Sequence, residues 1–366
     1  MQIKDIVQAI ETFAPPCYQE SYDNSGVQVG ATNIACTGAL LTLDITEAVI
    51  QEAIDKGCNL VIAHHPLIFS GVKRIAGNNA IERCIILAIR HNITLYAAHT
   101  NLDNMQQGVN DRIAEKIGLS RRSILSPMPN KLYKLYTYVP QTHIEQVRQA
   151  LFDSGAGSIG DYEHCSFNTE GTGTFKAKEK AQPFIGQAGG PMERVAELRL
   201  ELIVPEHLKT NVLHALRASH PYEEVAYELI ALENSNQDLG AGMIGSFEEA
   251  MPVEEVLALI KTQLKAPVIR HTALIKDKIK TIALCGGSGS FLLNRAKAAK
   301  ADLFLTADYK YHQFFEAEEA IIIADIGHYE SEQLSVEIFN EVINEKFPNL
   351  IVNYSQTKTN TIVYYF

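Results

Sequence analysis

Short apolar runs alternate with longer stretches of helical period through the first third of the chain, the signature of βα units and a largely parallel sheet. MQIKDIVQAIETF has the spacing of an amphipathic helix. GALLTLDI reads as a strand, TEAVIQEAIDKG as a helix closed by Gly57, and NLVIAHH as the next strand. NNAIERCIILAIRHN predicts a further helix, ITLYAAHTNLD a strand, and VNDRIAEKIGL a helix ending near Gly118. The last third repeats this rhythm. KIKTIALCGG, ADLFLTAD and AIIIADIG predict strands, followed in turn by helices over SFLLNRAKAAK, YKYHQFFEAEE and ESEQLSVEIFNEVINEKF, with IVNYSQTKTNTIVYYF as a closing hairpin.

The middle has a different texture. SPMPN at 126–130 is a breaker cluster. Beyond it come KLYKLYTYVP, THIEQVRQALFDSG, a Gly-rich polar stretch from Gly155 to Gly190, VAELRLELIVP, EHLKTNVLHALRASHP and EVAYELIALEN. That order suits a small ferredoxin-like α+β module. NSNQDLGAG reads as a second linker, leading back into αβ texture. The expected fold is therefore an α/β domain with a mixed, largely parallel sheet, residues 1–125 plus 246–366, interrupted by an inserted ferredoxin-like domain, 126–245. Insertion at a loop is well tolerated because the ends of a domain often lie close together.

Size agrees with that division, since 366 residues exceed what one hydrophobic core usually organises. Lysine and arginine number 32 against 43 acidic residues, a formal net charge of -11, which argues against a general nucleic-acid or anionic-membrane surface. Cys17, Cys36, Cys58, Cys84, Cys165 and Cys285 are scattered without a CxxC pair, and buried thiols in a reducing compartment are the expectation. No stretch approaches the ~18 apolar residues of a membrane-spanning helix, and the N-terminus lacks the apolar core of a signal peptide. A cytoplasmic protein is expected.

Against this background, histidines and carboxylates recur immediately after the apolar runs. His64 and His65 follow NLVIA, His99 and Asp103 stand in AAHTNLD, Asp308 follows LFLTA, and His328 and Glu332 stand in GHYESE. In open αβ sheets ligands collect outside the carboxyl ends of the strands, so segments distant in sequence can converge there. Imidazole with carboxylate and no thiolate suits a hydrolytic divalent ion better than a structural zinc. Pro66 bends the chain after the paired imidazoles, which can then serve two different ions. His328 and Glu332, spaced i, i+4, share one face of a helix that starts near His328. Asp103 or Glu332 can bridge two ions ~3.5–4 Å apart. Each residue alone has an ordinary reading, a capping or surface histidine or a turn at Asp103-Asn104, and only the conjunction carries the metal reading.

The remaining candidates are weaker. His99 can ligate, orient a ligand or sit in the core; orientation is favoured, because ligating groups are held by outer hydrogen bonds. His312 in TADYKYH is a candidate proton donor or acceptor toward substrate. Gly286, Gly287 and Ser288 in CGGSGS can offer backbone amides to a phosphate, with Lys310, Lys73 and Arg74 as nearby cations. The ordinary reading is a tight βα corner beside solvated basic residues. His220, Glu223 and Glu224 in HPYEE can hold a metal, although a helix end and turn explain them equally well.

DNSGVQVG at 23–30, LTLDIT at 41–46, VIAHHPLIF at 61–69, AAHTNLD at 97–103, CGGSG at 285–289, TADYKYH at 306–312 and GHYESE at 327–332 together resemble the GTP cyclohydrolase I type 2 homologues, also called the Nif-three-like family. The resemblance covers both outer segments, and the insert resembles the PII-like or CutA-like module of the longer, YqfO-type members. It implies a dinuclear metal site held by residues matching His64, His65, Asp103, His328 and Glu332, and these histidine and carboxylate donors admit zinc first and otherwise iron, manganese, nickel or cobalt. It also implies a toroidal homohexamer. The chain departs from the family in having Tyr22-Asp23 where Trp is frequent, and Ala307 where Gly is frequent.

The expected function is a dinuclear metal-dependent hydrolase using metal-activated water on a small-molecule nucleotide or related phosphorylated substrate. GTP itself enters only through the resemblance, and a phosphoester hydrolase would use the same constellation. A metal-containing, ring-shaped binding or regulatory assembly is the competing reading, with the insert sensing a ligand. Neither a membrane nor nucleic acid is an expected partner.

Overall fold

The computed structural model describes residues 1–365. They form two compact units, Met1–Pro127 with Asp238 onward, and Met128–Gln237. Strands β1 (Gly26–Val29), β2 (Ala39–Thr42), β3 (Leu60–Ala63), β4 (Thr94–Ala97) and β5 (Ser120–Met128) come first. The second unit holds β6 (Leu132–Pro140), β7 (Phe167–Phe175), β8 (Glu193–Pro205) and β9 (Tyr227–Leu232). The first resumes with β10 (Asn236–Pro252), β11 (Arg270–His271), β12 (Lys278–Ser288), β13 (Leu303–Ala307), β14 (Ile322–Asp325) and β15 (Val352–Tyr354).

The first unit is mixed α/β with two mixed sheets, ordered β1-β4-β3-β2-β15 and β11-β14-β13-β12-β10-β5. The inner strands β2, β3 and β4 run parallel, as do β12, β13 and β14, while β1, β10 and β11 pair antiparallel. Such inner strands are buried on both faces, and their residues divide alternately. Leu41, Leu60, Ile62, Tyr96, Ile282, Leu284, Leu303, Leu305 and Ile322 share one continuous core with helices Ile3–Phe13, Val109–Lys116, Val253–Gln263 and Ser335–Lys346. Leu40, Val61 and Leu95 face a second core with helices Glu47–Asp55 and Ala80–Arg90, and Ala283, Phe304 and Ile323 face a third. Filling both faces fixes the strand ends, and at those ends the polar residues emerge.

The second unit follows the order β6, helix Ile144–Asp153, β7, β8, helix Lys209–Ser219, β9, in a sheet ordered β7-β8-β6-β9 with every pair antiparallel. Leu135, Val139, Leu200, Leu202 and Val204 meet Val147, Leu151, Val212 and Leu216 of the two helices in its own core.

Several sequence expectations are corrected. The units divide within NSNQDLGAG, as expected, but after Gln237, so the first unit resumes at Asp238 rather than 246, and from Asn236 the segment is not a loop but the start of β10, whose later residues pair with β12 (Met243 with Leu284). β5 likewise runs through the expected breaker at Pro127; sheet pairing overrides local turn preference in both places. The closing hairpin does not form among the described residues, Phe366 lying outside them. Only Val352–Tyr354 is a strand, parallel to β2, and the next residues are held by side chains: Ser355, Gln356 and Thr357 on the Glu52 carboxylate and Thr359 on Asp44. Over YKYHQFFEAEE the chain forms a 3₁₀ segment, Tyr311–Ala317. SFLLNRAKAAK divides into a 3₁₀ turn, Ser290–Leu292, and a short helix, Leu293–Ala298. ESEQLSVEIFNEVINEKF lies across two helices, His328–Glu332 and Ser335–Lys346. Of the cysteines, Cys58, Cys84 and Cys285 are buried, Cys36 and Cys165 are half-buried and Cys17 is exposed, so burial holds for only half of them. No helix among the described residues is long and apolar enough to cross a membrane.

Candidate metal centre

Each imidazole of the centre is fixed at Nδ1. His64, fully buried where β3 ends, donates from Nδ1 to the Ala98 carbonyl at 2.9 Å. That oxygen can only accept, so the proton sits on Nδ1 and Nε2 presents a lone pair. His65 Nδ1 meets Asp44 Oδ1 at 2.7 Å, His328 Nδ1 meets Asp308 Oδ2 at 2.7 Å, and His99 Nδ1 meets Asp23 Oδ1 at 2.8 Å. A carboxylate on the far ring nitrogen fixes the tautomer and orientation that a metal-ligating histidine needs.

The free ends converge. Glu332 Oε2 lies 2.8 Å from both His65 Nε2 and His328 Nε2, and 3.8 Å from His64 Nε2. The two Nε2 atoms of His65 and His328 are 3.3 Å apart, and Asp103 Oδ1 lies 3.5 Å from His64 Nε2. Three overlapping groups, His64 with His65 and His99, His65 with His328 and Glu332, and His64 with Asp103 and Glu332, each bring their ligating atoms within 4.8 Å of one another. His64 Nε2 and Asp103 Oδ1 are both buried and without a hydrogen-bond partner among the described residues. Buried polar atoms are nearly always satisfied, so an orphaned acceptor pair this close together fits a cation. Nitrogen and oxygen donors, with sulfur held back, fit a divalent transition ion: Cys285 is a thiol, its pKa pushed up by burial and then by Asp103 and Glu332.

Electrostatics divide the cluster. Burial lowers His64 to about 3. For His65, burial also pulls downward, but hydrogen bonds to Asp44 and Glu332 prevail and raise it to about 9. His328 reaches about 11 in the same way, through Asp308 and Glu332. Burial and the neighbouring Glu332 charge raise Asp103 well above the usual carboxylate range, whereas Glu332, despite its burial, is held well below it by His328 and His65. Without a cation, the two imidazoles thus carry the positive charge that balances Glu332.

Local sequence explains the placement. The helix His328–Glu332 begins at His328, so the i, i+4 pair faces one way. Asp308, just after β13, adopts φ 58, a left-handed conformation that Asp tolerates better than most residues, and this accompanies its reach to His328. Gly287 has φ +60, and a Cβ there would stand 2.2 Å from Glu332 Oε1. Only glycine lets the loop and the carboxylate approach so closely. CGGSGS therefore serves the centre differently from the phosphate cradle expected of it. The amides of Gly286, Gly287 and Gly289 donate to Asn110, Ser331 and Thr306 side chains, and Ser288 and Lys310 are exposed, so these residues form no assembled anion site.

His312 is also exposed, its ring 5.2 Å from that of Tyr311 and stacked on Phe315, and it joins none of the ligand groups. Lys73 and Arg74 are solvated. His220 has both ring nitrogens committed, Nε2 to the Tyr138 carbonyl and Nδ1 to the Tyr222 amide, while Glu223 accepts from the Gln182 amide, so HPYEE is a turn. Conversely, Asp44 and Asp23 were absent from the candidates. Asp23 also accepts from Ser25 and from the Thr100 amide and hydroxyl; burial raises its pKa, but the His99 and Thr100 hydrogen bonds outweigh it and hold the carboxyl strongly ionised. The available signal was an Asp directly after the LTL run and another opening DNSG.

A model of the Duf34/NIF3 (NGG1p interacting factor 3) family matches residues 1–361. The chain belongs to the Duf34/NIF3 family. Among its relatives, a GTP cyclohydrolase 1 type 2 homolog of Halalkalibacterium halodurans is 41% identical over 349 residues, covering 94% of this chain and 92% of that protein. One of the same description from Bacillus subtilis is 37% identical over 366 residues, covering 99% and 98%. Among solved structures, a Bacillus cereus protein related to NIF3 superposes with a TM-score of 0.87 at 37% identity, over 100% of this chain and 99% of that one. This member of the Duf34/NIF3 family thus carries, at the strand ends of its first unit, a histidine and glutamate cluster able to hold a metal ion.

Proposed function

We propose that the chain is a dinuclear metal-dependent hydrolase acting on a nucleotide or related phosphorylated small molecule. His64, His65, Asp103, His328 and Glu332 would hold two divalent ions, zinc first among the candidates. The observation that carries this reading is the orphaned pair His64 Nε2 and Asp103 Oδ1, set 3.5 Å apart beside a carboxylate that already touches His65 and His328. Bound ions would supply Lewis acidity and acidify water toward neutral pH. The chain's own residues hold and orient. Asp44 and Asp308 keep two rings in the ligating tautomer, and His99, held at Nδ1 by Asp23, can take or give a proton at Nε2 beside the cluster. The nucleotide assignment follows the description of the relatives as GTP cyclohydrolase 1 type 2 homologs.

The inserted unit is proposed to be a ferredoxin-like module of the PII type; its βαββαβ order and antiparallel sheet support this. The assembly is proposed to be a cytoplasmic homohexamer, which light scattering on the purified chain checks. Elemental analysis and calorimetric titration with zinc, manganese and iron(II) test the centre, and metal-loaded protein is then offered GTP, other nucleotides and phosphoesters. Turnover abolished by His65→Ala or Asp103→Ala supports the hydrolase. Full metal occupancy with no turnover across the panel replaces it with a binding or regulatory assembly, and failure to bind any divalent ion removes both.

A further inference from the structure

The inserted unit carries a half-open cavity of about 650 Å³, within the range of small-molecule sites. It lies on the side of the sheet away from the helices: Leu198, Leu200 and Leu202 of β8 turn to the helical core, so the alternate residue Glu197 turns to the cavity. Tyr138, Phe175, Phe184, Ile185 and Tyr222 supply much of the wall. Phe175 and Phe184 stand 6.0 and 6.3 Å from Tyr222, ring centre to ring centre.

Glu197 is the one charged side chain in this wall that is buried, at 7% exposure. Its Oε1 accepts from the Tyr222 hydroxyl at 2.8 Å. A Cβ at position 173 would lie 2.0 Å from its Oε2, so Gly173 leaves the space that the carboxylate occupies. Arg199 and Lys134, on the same sheet, pair with Glu201 instead, and no basic side chain among the described residues lies within ion-pair distance of Glu197. Lys176, Lys178 and Arg199 also line the cavity but are exposed, where water screens their charge. A buried carboxylate lacking a cation, set among aromatic faces, is the chemistry that recognises positive nitrogen on a flat or apolar body.

We infer that this cavity is a binding site for a small organic cation, an amidine- or amine-type nitrogen seated on Glu197 with its apolar body against the aromatic wall. The test uses the full chain and three near-isosteric probes, benzamidine, benzamide and benzoate, titrated by calorimetry or ligand-observed NMR. Benzamidine should bind at least about tenfold more tightly than either of the others, a charge-assisted hydrogen bond being the difference. E197Q should erase that preference. F184A, at a side chain 51% exposed and therefore tolerant of change, should weaken benzamidine severalfold while keeping the preference. Equal binding of the three probes, no saturable benzamidine binding, or a preference that survives E197Q overturns the inference. Should E197Q fail to fold, the probe series on the unaltered chain and on F184A decides alone.

Discussion

The two sheets of the first unit deliver their histidines to the cluster in different ways. On the first, His64 is wholly buried and pinned by a backbone carbonyl, so its ring cannot turn without moving the segment after β4. On the second, His328 is 37% exposed at its side chain and is held by Asp308, itself 49% exposed. His64 is set by the main chain, whereas His328, like His65 with Asp44, is set by a side-chain pair. The difference is electrostatic as well as geometric, since burial drives His64 down to about 3 while carboxylates carry His328 up to about 11. The cluster therefore pairs a deep neutral imidazole with a shallow protonated one.

Glu332 joins the halves, and removing it should have the largest effect. Glu332→Gln keeps the shape but loses the charge that faces three imidazoles, and affinity for both ions should fall more than about 100-fold, as read by calorimetry and metal content. Retention of either ion at full affinity would mean that the halves are separate sites. Next in size, His64→Ala and His328→Ala should differ in kind. His328→Ala should leave one ion per chain on the deep ligands, while His64→Ala should also lower the melting temperature, because it hollows a packed position. Identical stoichiometry and stability in the two variants would erase the distinction drawn here.

Acidity separates the halves again in the metal-free protein. His65 and His328 have folded pKa values of about 9 and about 11 against an ordinary 6.5, so their stabilisation is complete below pH 6.5 and is lost as pH rises through 9 and then 11. His64 works in the opposite sense. Its folded value of about 3 means that below pH 6.5 the unfolded chain takes up a proton that the native chain refuses, and stability falls as pH drops toward 3. Melting temperature of chelator-treated protein should therefore peak near pH 6.5. Metal loading requires neutral imidazoles, so the decline between pH 7 and 9 should vanish in loaded protein; an alkaline decline of equal size in both forms would show that these rings do not bind the ions.

Much of this was legible in the chain because the inner strands write themselves as continuous apolar runs whose ends are marked by the first polar residues. LVIA before His64 and LFLTA before Asp308 are such marks, and the rule that functional groups gather at carboxyl ends of parallel strands pointed to the convergence the fold shows. What stayed hidden depended on partners rather than pattern. Nothing local in LTLD says that Asp44 will meet a histidine across β3, and nothing in CGGSGS says that its amides are already taken by Asn110, Ser331 and Thr306. β10 was missed for a related reason: small and polar residues that read as a linker become a strand where β5 lies beside them, with Gly240 close against Ser126 and Pro127.

The smallest expected effects test whether the two halves differ in rigidity as well as depth. Asp308→Asn and Asp44→Asn each remove the charge behind one imidazole and should weaken the ions by about tenfold. Asp44 has a further support, a 2.6 Å hydrogen bond from Thr359 in the segment after β15, which Asp308 at the mouth does not share. That segment is itself tied down by Glu52, so the C-terminal chain braces the carboxylate that braces His65. Thr359→Val keeps the shape and deletes the donor. Affinity should fall by no more than a few-fold, since Asp44 retains its bond to His65, and Thr359→Ser should restore it where valine does not. An unchanged titration for valine would confine the role of the C-terminal segment to covering β2, and the rigidity of the deep half would then rest on His64 alone.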